Sequence, residues 1–147
     1  MVKVVVDSNL LVSALLTGDP SSPTVALFRR ALSREISAYT SPFQLSELVD
    51  VLTRPRFRRA VTVQDAMRFV GLIKDRFTVV AGAYRDFDLV PNDAKDNPIV
   101  AIGLEAEAGF LVTEDAKHLL SLKSIRLSGH RTLQIVSLDN FNRLERR

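Results

Sequence analysis

Short apolar runs rich in β-branched residues alternate along this chain with stretches of helical periodicity, and that alternation narrows the fold more than any other feature. Val4-Val5-Val6, Ile36 to Thr40, Phe77 to Ala81, Phe110 to Thr113 and Leu133 to Val136 each read as a short strand. A run apolar at every position is buried on both sides, as in a parallel sheet covered by helices on either face. Leu10 to Leu16 reads as a short helix, followed by a loop over Gly18-Asp19-Pro20-Ser21-Ser22-Pro23. Thr24 is expected to cap a helix running to about Arg34, with Leu27, Phe28, Ala31 and Leu32 on its inner face. Ser41-Pro42 is a strong helix start, a hydroxyl cap followed by proline at the first helical position. That helix carries Phe43, Leu45, Leu48, Val49 and Leu52 and stops before Pro55. Further helices are expected from Val63 to Arg76 and from Pro98, the latter ended by Gly109, with a short helical turn over His118 to Leu122. The pattern predicts one domain over residues 1–147, a three-layer α/β/α sandwich with a five-stranded parallel sheet.

Composition excludes several chemistries. The 147 residues are 46% hydrophobic with a net charge of +3, which argues against disorder. There is no cysteine, so disulfides, thiolate metal sites and cysteine nucleophiles are ruled out. Two histidines, His118 and His130, are too few for a zinc site built mainly from imidazoles. Asp7, Ser8 and Asn9 interrupt the apolar opening long before the roughly 20 residues needed to span a membrane. A signal-peptide cleavage pattern is also lacking, so the expectation is a soluble, cytoplasmic protein without membrane association. Fifteen of the twenty basic residues are arginine, whose planar fork matches phosphate. Their densest cluster, Arg54-Pro55-Arg56-Phe57-Arg58-Arg59, is a solvated loop in most settings and a phosphate-backbone contact when a catalytic site lies nearby.

The acids fall where a parallel sheet presents ligands, beyond the carboxyl ends of strands. Asp7 follows the first strand, Asp115 follows the fourth, Asp96 precedes the Pro98 helix and Glu47 sits inside the Pro42 helix. Each has a structural explanation by itself. Asp7 or Ser8 can cap the next helix, Asn97 can cap the Pro98 helix beside Asp96, and Asp115 can start the turn around His118. Glu47 lies between apolar Phe43 and Val51 at helical spacing, where a carboxylate is half-buried with a partner or drawn in by a ligand. If the four converge, each pair at about 6 Å in an effective dielectric of about 20 repels by roughly 3 kcal/mol. Such a cluster protonates or binds a cation, and an all-oxygen donor set suits Mg²⁺ or Mn²⁺. Acid-held metal beside abundant arginine reads as phosphodiester hydrolysis.

The arrangement resembles the PIN domain family, named after the PilT N-terminus. The matching pieces are Val4-Val5-Val6-Asp7-Ser8-Asn9, Ser46-Glu47-Leu48, Asp93-Ala94-Lys95-Asp96-Asn97-Pro98-Ile99 and Thr113-Glu114-Asp115. They appear in the family's order over residues from about 2 to 140. The resemblance implies that Asp7, Glu47, Asp96 and Asp115 hold the metal, that Asn9 and Thr113 support the site by hydrogen bonds, and that Asp93 assists. Leu52-Thr53-Arg54-Pro55-Arg56-Phe57 is similar to the VapC-like branch, the toxins of toxin–antitoxin pairs. It implies a nuclease acting on an RNA substrate, a cognate antitoxin protein and a homodimer, with Arg54, Arg56, Arg58 and Arg59 as nucleic-acid contacts. Two positions depart from the family pattern: Glu114 adds an acid, and one more residue follows Asp115 before Leu119-Leu120. His118 is expected to be a structural or surface residue rather than a general acid.

Three alternatives compete with RNA cleavage: a non-catalytic RNA- or partner-binding module on the same fold, a metal-dependent nuclease acting on DNA, and a phosphoacceptor receiver. The receiver lacks both the acidic pair after the first strand and an acceptor Asp after the third, which ends in Val80-Ala81-Gly82. A glycine-rich dinucleotide turn, a Walker sequence and a G-x-S-x-G elbow are all missing.

Overall fold

The computed structural model describes residues 1–83, 97–127 and 131–145. Among them, β1 (Lys3–Val6), β2 (Ser37–Thr40), β3 (Thr78–Val79), β4 (Phe110–Val112), β5 (Ser124–Arg126) and β6 (Thr132–Val136) form one sheet in the order β3-β2-β1-β4-β6-β5. The accompanying helices are α1 (Ser8–Leu16), α2 (Pro23–Leu32), α3 (Pro42–Leu52), α4 (Val63–Arg76), α5 (Pro98–Ala106) and α6 (Leu138–Glu145). The five expected strands are present and mutually parallel. A sixth, β5, runs antiparallel to β6 at the sheet edge. Only Ile125 of its three residues is buried, too short an alternation to mark a strand in the sequence.

Side-chain alternation along β1 divides the core into two layers. Val4 and Val6 pack with Leu11, Leu27, Leu48, Ile73 and Phe141 from the helices on one face. Val5 packs with Ile99, Val100 and Ile102 of α5 on the other, together with Leu111 of β4. The three-layer α/β/α sandwich therefore follows from β-branched residues buried on both sides of a parallel sheet. α6 was not expected from the sequence; it buries Leu138 and Phe141, and the Phe141 ring meets Phe110 edge-on at 5.2 Å.

Helix starts obey local chemistry. Ser41 Oγ accepts from the Gln44 N–H (3.2 Å) and Thr62 Oγ1 from the Asp65 N–H (3.0 Å). Asn97 Oδ1 accepts from the N–H groups of Ile99 (2.9 Å) and Val100 (3.4 Å). Two boundaries differ from expectation. α2 is capped by Ser22, not Thr24, because Pro23 occupies the first helical position and shifts the cap one residue ahead of it. α5 ends where Glu107 turns left-handed (φ 52°), not at Gly109. Gly109 is already engaged with β1, its N–H donating to the Lys3 carbonyl at 3.1 Å, so the reversal comes earlier.

From β1 the chain passes to β2 on one side, and β4 later adds on the other. The order reverses at β1, so the carboxyl ends of β1 and β4 form the switch point, the place where open α/β sheets bind ligands.

Candidate active site

Val6 pairs with Val112, so the next residues, Asp7 and Thr113, leave adjacent parallel strands side by side. The ladder continues through them: the Asp7 N–H donates to the Val112 carbonyl (2.9 Å) and the Thr113 N–H to the Val136 carbonyl (3.0 Å). Asp7 stands at the N-cap of α1, and its backbone carbonyl accepts from Leu10 (3.0 Å), yet its side chain caps nothing. Instead Thr113 Oγ1 donates to Asp7 Oδ2 at 2.7 Å. Asp7 is 9% exposed and Thr113 fully buried. Burial pushes the Asp7 carboxyl above its ordinary value, partly countered by hydrogen bonds from Thr113 and the Ser8 backbone. The negative charges of Asp115 and, least, Glu47 add smaller upward contributions.

Glu47 is positioned by way of Gln44, a residue whose role depends on contacts distant in the sequence. The buried face of α3 is Gln44, Leu48 and Leu52, a polar residue heading an apolar stripe. Gln44 is fully buried. Its Nε2 donates to the Val6 carbonyl (2.8 Å) and to Ser8 Oγ (3.3 Å), and its Oε1 accepts from Thr40 Oγ1 (2.7 Å). Gln44 thus fastens α3 to the end of β1, and Glu47 follows one turn later. An amide at a core position directly after a Ser-Pro cap was the available signal. Phe43, expected to flank Glu47 with apolar surface, is 55% exposed: it lies off the buried stripe, so Glu47 sits half-buried at the stripe's margin. Among the described residues, Glu47 forms no hydrogen bond or ion pair.

Asp115 behaves differently. Thr113 Oγ1 accepts its backbone N–H at 3.0 Å, while its Oδ1 accepts from the His118 N–H at 3.0 Å. His118 Nδ1 lies 3.4 Å from Asp115 Oδ2 with the imidazole largely exposed. The His118 backbone bond leads the causes that hold the Asp115 carboxyl below its ordinary value. Asp115 therefore caps its own turn, and His118 is a surface residue. The extra acid, Glu114, is used elsewhere: its Oε1 accepts from the Leu138 N–H at 2.9 Å and caps α6.

Asn9 is exposed on α1 and makes no side-chain hydrogen bond among the described residues. Asp93 and Asp96 lie outside the described residues. Arg54, Arg56, Arg58 and Arg59 are exposed around a short 3-10 turn, Pro55–Phe57. Arg54 pairs with Asp50 at 3.4 Å, and Arg56 lies over the Phe57 ring, 4.6 Å from its centroid.

Among the described residues, no three carboxylate or imidazole side chains are close enough together to grip a metal ion. The donor set nevertheless suits magnesium, which keeps much of its water and is usually bound by one or two carboxylates plus substrate phosphates. Asp7 and the half-buried Glu47 are the described acids that would supply those carboxylates.

A family model described as PIN domain matches residues 3–117. No curated protein matches the sequence. The fold is similar to that of VapBC2 from Rickettsia felis, solved bound to a DNA fragment from its promoter (12% identity, TM-score 0.55, covering 90% of this chain and 98% of that one). It is also similar to DNA-bound VapBC from Salmonella typhimurium (15% identity, TM-score 0.58, covering 94% and 99%). Among the described residues no helix is long and apolar enough to cross a membrane.

Proposed function

The chain belongs to the PIN domain family, and on that premise we propose that it is a Mg²⁺- or Mn²⁺-dependent endoribonuclease, the toxin of a toxin–antitoxin pair. The observation that carries this reading is the buried Asp7 carboxylate at the switch point, held by Thr113 and raised by burial and by the charges of Glu47 and Asp115. A carboxylate there is relieved by a proton or by a cation, and a cation is the partner that keeps it ionised. Asp7 and Glu47 would hold that ion, with Asp115 beside them and Asp96, outside the described residues, as the fourth acid. A divalent ion there would neutralise phosphate charge and make bound water a stronger nucleophile at neutral pH. The chain's own contribution is positional. Thr113 orients Asp7, Gln44 sets the end of α3 against β1, and the exposed arginines beyond α3 offer charge to a polyanion. An antitoxin partner is supported by the VapBC assemblies that share this fold, and a homodimer by the family resemblance.

The test is cleavage of a generic RNA, with and without Mg²⁺ or Mn²⁺, by the natural protein and Asp7→Asn. Metal-dependent cleavage that Asp7→Asn abolishes supports the reading; cleavage indifferent to metal or to Asp7 overturns it. DNA offered in parallel decides the polymer. A second reading, a binding module without turnover, draws on the lack of a three-ligand cluster among the described residues. It predicts RNA binding with no cleavage under any metal.

A further inference from the structure

Beside Glu47 runs an open groove of about 390 Å³ lined by Phe43, Ser46, Glu47, Asp50, Val51 and Arg54. These positions recur at the three- and four-residue spacing of one helix face, so the groove follows α3 from its first turn to the residue after its C-cap. Single exposed apolar side chains are common and need no explanation. Phe43 differs by its surroundings. It is 55% exposed, the most exposed phenylalanine among the described residues, and its ring enters no aromatic pair among them. It precedes Glu47 by one helical turn, about 6 Å along the axis. Resting on the nuclease reading above, we propose that Phe43 is a stacking platform for an unpaired nucleobase next to the phosphate at Glu47.

The groove itself holds two carboxylates, Glu47 and Asp50, against Arg54; with Glu47 offset by the ion of the nuclease reading, the positive charge for a polyanion comes from the arginines beyond it. Arg54 closes the far end of the groove, with its charge partly offset by Asp50. Arg56, Arg58 and Arg59 extend the basic surface beyond it, and Arg58 and Arg59 have no ion-pair partner among the described residues. An aromatic face in a groove and unpaired guanidinium groups on the surface beyond it form the pairing by which single strands are held: stacking for a base, positive charge for the backbone. A base within a duplex has both faces covered by its neighbours and cannot reach the ring.

The chain contains no tryptophan, so Phe43→Trp introduces a sole tryptophan at the platform, excited apart from the two tyrosines at long wavelength. The experiment combines that variant with Asp7→Asn, to prevent cleavage, and titrates a short RNA either single-stranded or annealed to its complement. The expected result is quenching of the emission by the single strand and little by the duplex. Phe43→Ala weakens single-strand binding by about fivefold or more, and Phe43→Tyr restores it. Thermal stability stays unchanged, since the ring is exposed. Emission that stays constant while binding saturates overturns the proposal, as does equal quenching by the duplex or full affinity in Phe43→Ala. A change of oligomeric mass in Phe43→Ala with RNA affinity intact also overturns it and assigns the ring to a protein interface. The two readings fail separately. Quenching by a protein that cleaves nothing retires the nuclease and keeps the platform, whereas cleavage and binding indifferent to residue 43 retire the platform alone.

Discussion

Asp7 and Asp115 follow neighbouring parallel strands and share one hydroxyl, yet their surroundings push them in opposite directions. Thr113 Oγ1 donates to the Asp7 carboxylate and accepts the Asp115 backbone N–H. Asp7 is buried at the end of β1, and desolvation raises its carboxyl. Asp115 has moved three residues past β4 into an exposed turn, where the His118 backbone bond lowers it. The difference teaches where stability and function diverge. Asp115 does structural work in its own turn, whereas Asp7 makes no cap and sits where its charge costs free energy, which a cation would relieve.

The comparison breaks most visibly at Asp7. Asp7→Asn is expected to reduce metal-dependent RNA cleavage to background while far-ultraviolet circular dichroism stays native; substantial remaining activity would place the chemistry elsewhere. Thr113→Val comes next, because it removes the hydroxyl that serves both aspartates. Loss of such a supporting bond costs about 10- to 100-fold in metal affinity or activity. It also costs about 1–3 kcal/mol of stability from unpaired buried groups, readable by urea denaturation. Thr113→Ser keeps the donor and should retain most of both.

Stability against pH sharpens the contrast further. Asp7 is raised in the folded state, so folding is favoured while it holds its proton. That contribution is lost as pH rises from the ordinary value near 3.8 through the raised one. Asp7→Asn, neutral throughout and still able to accept from Thr113, should therefore melt at higher temperature than the natural protein at pH 7. The gain should vanish below pH 3.8 and shrink when Mn²⁺ is added. Asp115 has the opposite sign: its stabilising contribution is present above the ordinary value and is lost as pH falls through the lowered one. Being only partly buried, it carries the smallest effect. Asp115→Asn should shift the melting temperature slightly and cut activity less than Thr113→Val, and a loss as deep as that of Asp7→Asn would make the two aspartates equals.

Much of this architecture is legible in the sequence because the physics is local. β-Branched runs mark strands buried on both faces, and Ser41-Pro42, Thr62 and Asn97 start helices with their own side chains. Asp7 is legible because it terminates the first run. What escapes is non-local. Gln44 looks like an ordinary polar helix residue until the Val6 carbonyl and Ser8 hydroxyl are brought to it from 38 and 36 residues away. β5 exists only by pairing with β6, and Glu114 becomes a helix cap only once α6 packs against β4. Glu47 is legible only in part: it borders the buried stripe of α3, whereas Phe43 faces outward.

Calorimetric titration of Mn²⁺ into the natural protein and into Asp7→Asn, with no RNA present, tests the central claim most directly. Saturable uptake by the natural protein that Asp7→Asn loses is expected. No uptake by the natural protein, or the same uptake by both, would contradict it.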